Sequence, residues 1–97
     1  MPREAVLEKY FRKAIIAAGG MARKIAPYGE RTWPDRLVLF PQGFVYFVEL
    51  KKLGEKPTPA QARKHKKLRE MGFTVVVLDS REAVDEWIYH VLVEVIL

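Results

Sequence analysis

The stretch Trp33-Pro34-Asp35-Arg36-Leu37-Val38-Leu39-Phe40-Pro41-Gln42-Gly43-Phe44-Val45-Tyr46-Phe47-Val48-Glu49-Leu50-Lys51-Lys52 decides how this chain folds. Its two apolar runs, 37–40 and 44–50, are β-branched and aromatic and read as buried strands. Pro41-Gln42-Gly43 between them has the composition of a turn, so the two strands form a hairpin. The charges at the open end of that hairpin are the anomaly. A buried strand has no packing reason to carry Glu49 and Lys51. Residues two apart in a strand share a face, which lets these two charged ends meet. Asp35 stands just before the first strand and Glu49 near the end of the second. Antiparallel pairing lays those two ends side by side, so Asp35, Glu49 and Lys51 are predicted to converge.

Working outward, residues 3–18 form a predicted helix. Val6, Leu7, Tyr10, Phe11, Ala14, Ile15 and Ala18 keep the three-and-four spacing of one face, and Gly19-Gly20 ends it. Glu4 and Glu8 lie beside that stripe, where the helix dipole alone would favour first-turn acids. Residues 21–26 suit a short strand, and Pro27 to Thr32 a loop. Trp33-Pro34 keeps the chain extended into the hairpin. Downstream, Thr58-Pro59-Ala60-Gln61 is a helix start, with Thr58 as N-cap, Pro59 at the first position and Gln61 closing a capping box. That helix runs to about Met71 and stops at Gly72. Residues 73–78, nearly all β-branched, form a strand expected to be buried on both faces. Asp79-Ser80 caps a last helix along Val84, Trp87, Ile88, Val91, Leu92 and Val95. The end of this apolar tail is ambiguous between helix and strand. It suits a core or a dimer interface.

These elements make one α/β domain over residues 1–97, of 97 residues, 49% hydrophobic and with a formal net charge of +5. The core is real but small, so a homodimer is the expected state. A basic balance favours a polyanionic partner, nucleic acid first. The chain has no cysteine, which excludes disulfides, a thiolate nucleophile and a Cys-type zinc site. With no membrane-length apolar run and no signal-peptide pattern, it is expected to be cytoplasmic and off the membrane.

Asp35 and Glu49 are a pair of oxygen donors suited to Mg²⁺, which takes one or two carboxylates and keeps several waters. The Leu50 carbonyl is a further donor candidate, and Lys51 a cation that could orient an attacking water and steady transition-state charge. A structural account of the same residues also exists. Glu49 and Lys51 would form an ion pair at a strand end, and Asp35 would cap a turn. The second helix, Ala62-Arg63-Lys64-His65-Lys66-Lys67-Leu68-Arg69, is either a solvated charged face or a surface laid along phosphates.

Pro34-Asp35 followed by Glu49-Leu50-Lys51 resembles the PD-(D/E)xK nuclease motif. Arg36, Gly43, Lys52, Thr58 to Gln61, His65, Leu68, Gly72 and the valine strand resemble the VRR-NUC branch of that superfamily. So do Gly19-Gly20, Lys24 and the first helix with Glu4 and Glu8. The likeness covers most of the chain, in the short standalone form of phages and bacteria. It implies a restriction-endonuclease-like core, a mixed central sheet flanked by helices in the order α-β-β-β-α-β-α. It also implies Mg²⁺- or Mn²⁺-dependent cleavage of DNA, often branched DNA such as four-way junctions. Asp35 and Glu49 would be metal ligands, Lys51 the catalytic lysine, and Gln61 a neighbour from the second helix. Glu8, or else Glu4, would complete the metal site. Lys24, Arg36, Lys52, Arg63, Lys64, Lys67 and Trp33 would face the nucleic acid. Trp33 departs from the small residue that the family often has before Pro-Asp, which bears on substrate shape. Two competing classes remain. One is a non-catalytic nucleic-acid-binding module using the basic helix with Trp33 and Tyr28 as stacking platforms. The other is an interaction subunit docking through its last helix.

Overall fold

A computed structural model describes residues 3–25 and 29–96, with side chains of the first helix from Ala5 onward. The elements follow the predicted order: α1 (Arg3–Ala17), β1 (Met21–Lys24), β2 (Arg36–Phe40), β3 (Phe44–Leu50), α2 (Pro59–Glu70), β4 (Thr74–Leu78) and α3 (Arg81–His90). The strands lie in the sheet order β1-β2-β3-β4. β1, β2 and β3 run antiparallel, and β4 joins β3 in parallel through the α2 crossover.

The hairpin turn is a single 3₁₀ turn, Pro41–Gly43. Gln42 and Gly43 both take positive φ there, 73° and 82°. Only the glycine adopts this conformation without steric cost, and Gln42 is the one non-glycine residue among those described that does so. Gly20 answers a different demand. A Cβ there would lie 2.9 Å from the Leu39 carbonyl and the Phe40 ring, so α1 can turn onto the sheet only with glycine. The Gly20 N–H donates to the Ile15 carbonyl at 2.9 Å and that of Gly19 to Ile16 at 3.0 Å, closing the helix end with two of its free carbonyls satisfied.

Strand alternation sorts the sheet into two unequal faces. Val38, Phe40, Tyr46, Val48, Leu50 and Leu78 point to one side, against Leu7, Phe11 and Ile15 of α1 and Val84 and Trp87 of α3. The rings of Phe40, Tyr46 and Trp87 meet at centroid separations of 5.4–6.2 Å, tilted or edge-on. At the rim of this layer the Tyr10 hydroxyl donates to Asp85 at 2.7 Å, tying α1 to α3. On the opposite face lies α2, the least apolar helix, burying only His65 and Leu68. Arg69 of α2 donates to the Val75 carbonyl at 2.7 Å and helps hold the helix down.

Two expectations are decided by β4 and the C-terminal tail. β4 has a helical layer over each face, with Val75 buried under α2 and Leu78 buried in the core of α1 and α3, but as an edge strand it leaves Thr74 exposed and Val76 and Val77 half-buried. Its β-branched run reflects parallel pairing to β3 on one edge and those two flanking layers. The ambiguous tail is helical: α3 continues into a π-helical segment, Val91–Ile96, with Val91 fully buried and Val93 and Val95 exposed. Among the described residues no helix is long and apolar enough to cross a membrane.

Candidate active site

The hairpin register brings the two predicted carboxylates together. Arg36 is paired with Val48, so the residues just outside that pair, Asp35 and Glu49, sit across from each other on the α2 face. Both line a cleft of ≈ 780 Å³ together with Ile25, Gly29, Glu30, Arg31, Trp33 and Gln61. Asp35 is fixed by the adjoining strand end: the Leu50 N–H donates to its Oδ1 at 3.1 Å. Burial pushes the Asp35 carboxyl above its ordinary range, opposed by that N–H and by the charges of Arg36 and Lys51.

Glu49 is more confined. It is 4% exposed, and its Oε1 is buried without a hydrogen-bond partner. Burial first, and the neighbouring Asp35 charge second, push its pKa up to about 7. Two like charges in one apolar-backed corner cannot both ionise cheaply, and a cation between them removes the conflict. Lys51 has a side chain only 11% exposed, and its ammonium lowers the pKa of both carboxyls. Its ion pair, however, is with Glu55, at 3.5 Å, and not with Glu49 as strand alternation suggested. The loop after β3 therefore supplies a counter-charge that the hairpin pattern did not reveal.

Gln61 reaches the cleft wall from α2. The capping box is present as predicted: Thr58 Oγ1 accepts from the Gln61 N–H at 3.1 Å, and Gln61 Oε1 accepts from the Thr58 N–H at 2.9 Å. Capping thus also fixes where the Gln61 side chain lies.

Glu8 is placed differently from the expectation. Arg36 is buried on the α1 face and bonds Glu8 at 3.1 Å and Asp35 at 3.4 Å, while Lys24 lies 3.8 Å from Glu8. Glu8 consequently faces a second cavity, of ≈ 280 Å³, lined by Arg12, Ala22, Arg23, Lys24 and Arg36. Among the described residues no three acidic, histidine or cysteine side chains gather as a metal cage. The side chain of Glu4 and the whole of Tyr28 lie outside the described residues. Arg36, predicted to meet phosphate, is instead an internal bridge between two carboxylates.

The remaining basic candidates divide by exposure. Lys24, Lys52, Arg63 and Lys67 are exposed, as is Lys66. Lys64 is half-buried. Its ammonium pairs with Glu30 at 3.0 Å and sits 5.3 Å above the Trp33 ring. Trp33 packs on Phe47 at 6.1 Å, and Phe47 on Phe73 at 5.7 Å, forming an aromatic row beside the cleft.

One residue of the site was not singled out for chemistry in the sequence. His65 is 1% exposed, with Nε2 3.6 Å from Glu49 Oε1. Burial lowers its pKa, and the charges of Arg69 and Lys51 lower it further, which favours the neutral ring. The available signal was position: Gln61, His65 and Leu68 fall on the one stripe of α2 that faces the sheet.

A hairpin that presents an acid before one strand and Glu-x-Lys at the end of the next, with a crossover helix over it, defines the PD-(D/E)xK class of α/β fold. Similarity to known proteins narrows the class. The chain is 46% identical over 80 residues to the protein named "Putative nuclease p44" of Acyrthosiphon pisum secondary endosymbiont phage 1, covering 82% of this chain and 86% of that relative. A solved structure described as a VRR_NUC domain superposes with a TM-score of 0.88 at 37% identity, covering 93% of this chain and 98% of the other. No model of a known protein family matches the chain. On these similarities the chain belongs to the VRR-NUC family of the PD-(D/E)xK nuclease superfamily.

Proposed function

We propose that this protein is a Mg²⁺- or Mn²⁺-dependent endodeoxyribonuclease that hydrolyses phosphodiester bonds in branched or structured DNA such as four-way junctions. The observation that carries this is the convergence of Asp35 and buried Glu49 in one cleft, with Glu49 Oε1 lacking any hydrogen-bond partner. An oriented carboxylate, an unsatisfied carboxylate oxygen and an open cleft fit a hard divalent cation that keeps part of its water shell. Asp35, Glu49 and the Leu50 carbonyl would hold it. When bound, such a cation supplies a polarised phosphate oxygen and a more acidic water.

The protein groups divide the remaining work. Leu50's N–H keeps Asp35 turned into the cleft. Lys51 places a positive charge beside the carboxylates, where it steadies negative charge building on the scissile phosphate. Gln61, held by Thr58, offers its amide to substrate from the cleft wall. Glu8 is assigned a supporting place, acting on Asp35 through the shared Arg36 guanidinium. Exposed Arg63 and Lys67 on α2, with Lys24 and Lys52 at the strand ends, give phosphates further along the duplex cations to meet. A two-fold dimer would offer two such clefts to two strands of a junction.

Cleavage assays on linear duplex, single-stranded, flap and four-way-junction DNA, with Mg²⁺, Mn²⁺ or EDTA, test this directly. Metal-dependent cutting of branched substrates that disappears in Glu49→Ala is the expected result. Cutting that survives Glu49→Ala removes the assigned site, and tight binding without cutting on every substrate leaves a binding module. Sedimentation showing monomer alone, with and without DNA, removes the dimer.

A further inference from the structure

Two polar atoms beside the cleft are buried without partners, and they face each other. Glu49 Oε1 and His65 Nε2 are 3.6 Å apart, each lacking a hydrogen bond. At that distance there is no hydrogen bond, but a shift of a few tenths of an ångström makes one. An unsatisfied buried polar atom loses its hydration with nothing in exchange, so the fold carries a penalty on both sides of this gap. Packing does not ask for it. Position 65 shares the sheet-facing stripe of α2 with Leu68, and an apolar side chain would fill it without an orphaned nitrogen.

From this arrangement we propose that His65 is a positioning residue for Glu49, its Nε2–H taking hold of Oε1 when the carboxylate binds a divalent cation. A cation draws Glu49 into its ionised form, which strengthens it as an acceptor, and a neutral imidazole protonated on Nε2 is the matching donor. The helix thereby contributes to the metal site without contributing a ligand. Groups that orient a ligand in this way alter metal affinity by about 10–100-fold when removed. The proposal rests on Glu49 being a metal ligand.

Mn²⁺ titration by calorimetry, with melting in EDTA, separates this from a packing role. His65→Phe keeps an apolar filling and removes the donor. His65→Gln keeps a donor near the Nε2 position, and His65→Asn places its amide near Nδ1. The expected result is Mn²⁺ binding weakened about 10–100-fold in the Phe and Asn variants and largely restored in the Gln variant. The Phe variant should melt no lower than the parent in EDTA. Unchanged Mn²⁺ affinity in a folded Phe variant overturns the proposal while leaving Glu49 as a ligand. Absence of Mn²⁺ binding by the parent protein overturns the metal site itself, and the proposal with it. Imidazole ¹⁵N spectra of the parent give an answer that does not depend on folding of a variant. Mg²⁺ should yield a protected Nε2–H on His65. An Nδ1-protonated ring in the Mg²⁺-bound protein sinks the idea.

Discussion

The two faces of the sheet are made from the same strands yet answer to different demands. The face toward α1 and α3 is a continuous apolar layer in which Phe11, Ile15, Val38, Val48, Val84 and Val91 are fully buried. The face under α2 buries His65, Leu68 and Val75, and sets Glu49 and Asp35 at its open end. Side chains one residue apart thus do unrelated work: Val48 and Leu50 hold the domain together, and Glu49 between them carries an unsatisfied oxygen. Stability concentrated on one side allows a destabilised, reactive arrangement on the other.

The sharpest way to break this contrast is Glu49→Ala. Cleavage should fall by about 10²–10³-fold or more, with no loss of melting temperature, because an uncompensated buried carboxyl is removed. A variant that unfolds would show that the α2 face holds the fold after all. The reverse substitution is Phe11→Ala, which leaves a cavity in the other face and should cost about 3–5 kcal/mol in urea unfolding. Below its melting temperature that variant should keep the parent's metal requirement and substrate preference.

Acidity offers a subtler probe. The Glu49 pKa is raised from 4.5 to about 7 in the folded protein, so the folded state holds a proton that the unfolded state has released across that window. The stability from this group is complete below pH 4.5 and is lost as pH rises through about 7. In EDTA the melting temperature should therefore decline over that range, and more than in Glu49→Gln, which lacks the titrating group. Mg²⁺ should offset the decline, since metal binding competes with the same proton. A decline identical in Glu49→Gln would assign it to other groups. The smallest effect is at the cap: Thr58→Ala should lower stability by about 1 kcal/mol. The Thr58 backbone N–H that holds Gln61 Oε1 survives in that variant, so cleavage should fall in Gln61→Ala and not in Thr58→Ala. Cleavage untouched in Gln61→Ala would separate Gln61 from the chemistry.

Much of this was legible in the chain. The hairpin, its turn, both faces of β3, the capping box of α2, the Ser80 cap of α3 and the element order all follow from periods and turn chemistry that act within a few residues. The opposition of Asp35 and Glu49 was legible too, because an antiparallel register transmits local spacing across two strands. Errors began where one charged side chain has several partners within reach. Lys51 turned to Glu55, and Glu8 went to Arg36 and Lys24. Lys64 settled over Trp33, a neighbour supplied by a different element.

By itself, then, the sequence determined that a hairpin would bring two carboxylates to one place, since alternation and pairing leave that geometry no freedom. What it did not contain is how the charges around that place would pair. Each lysine or arginine can reach several acids, and the choice depends on which helix packs over which face and how deeply each carboxylate is buried. Only the tertiary structure put His65 against Glu49 and set Arg36 between Glu8 and Asp35, because only there do α1 and α2 meet opposite sides of the same two strands.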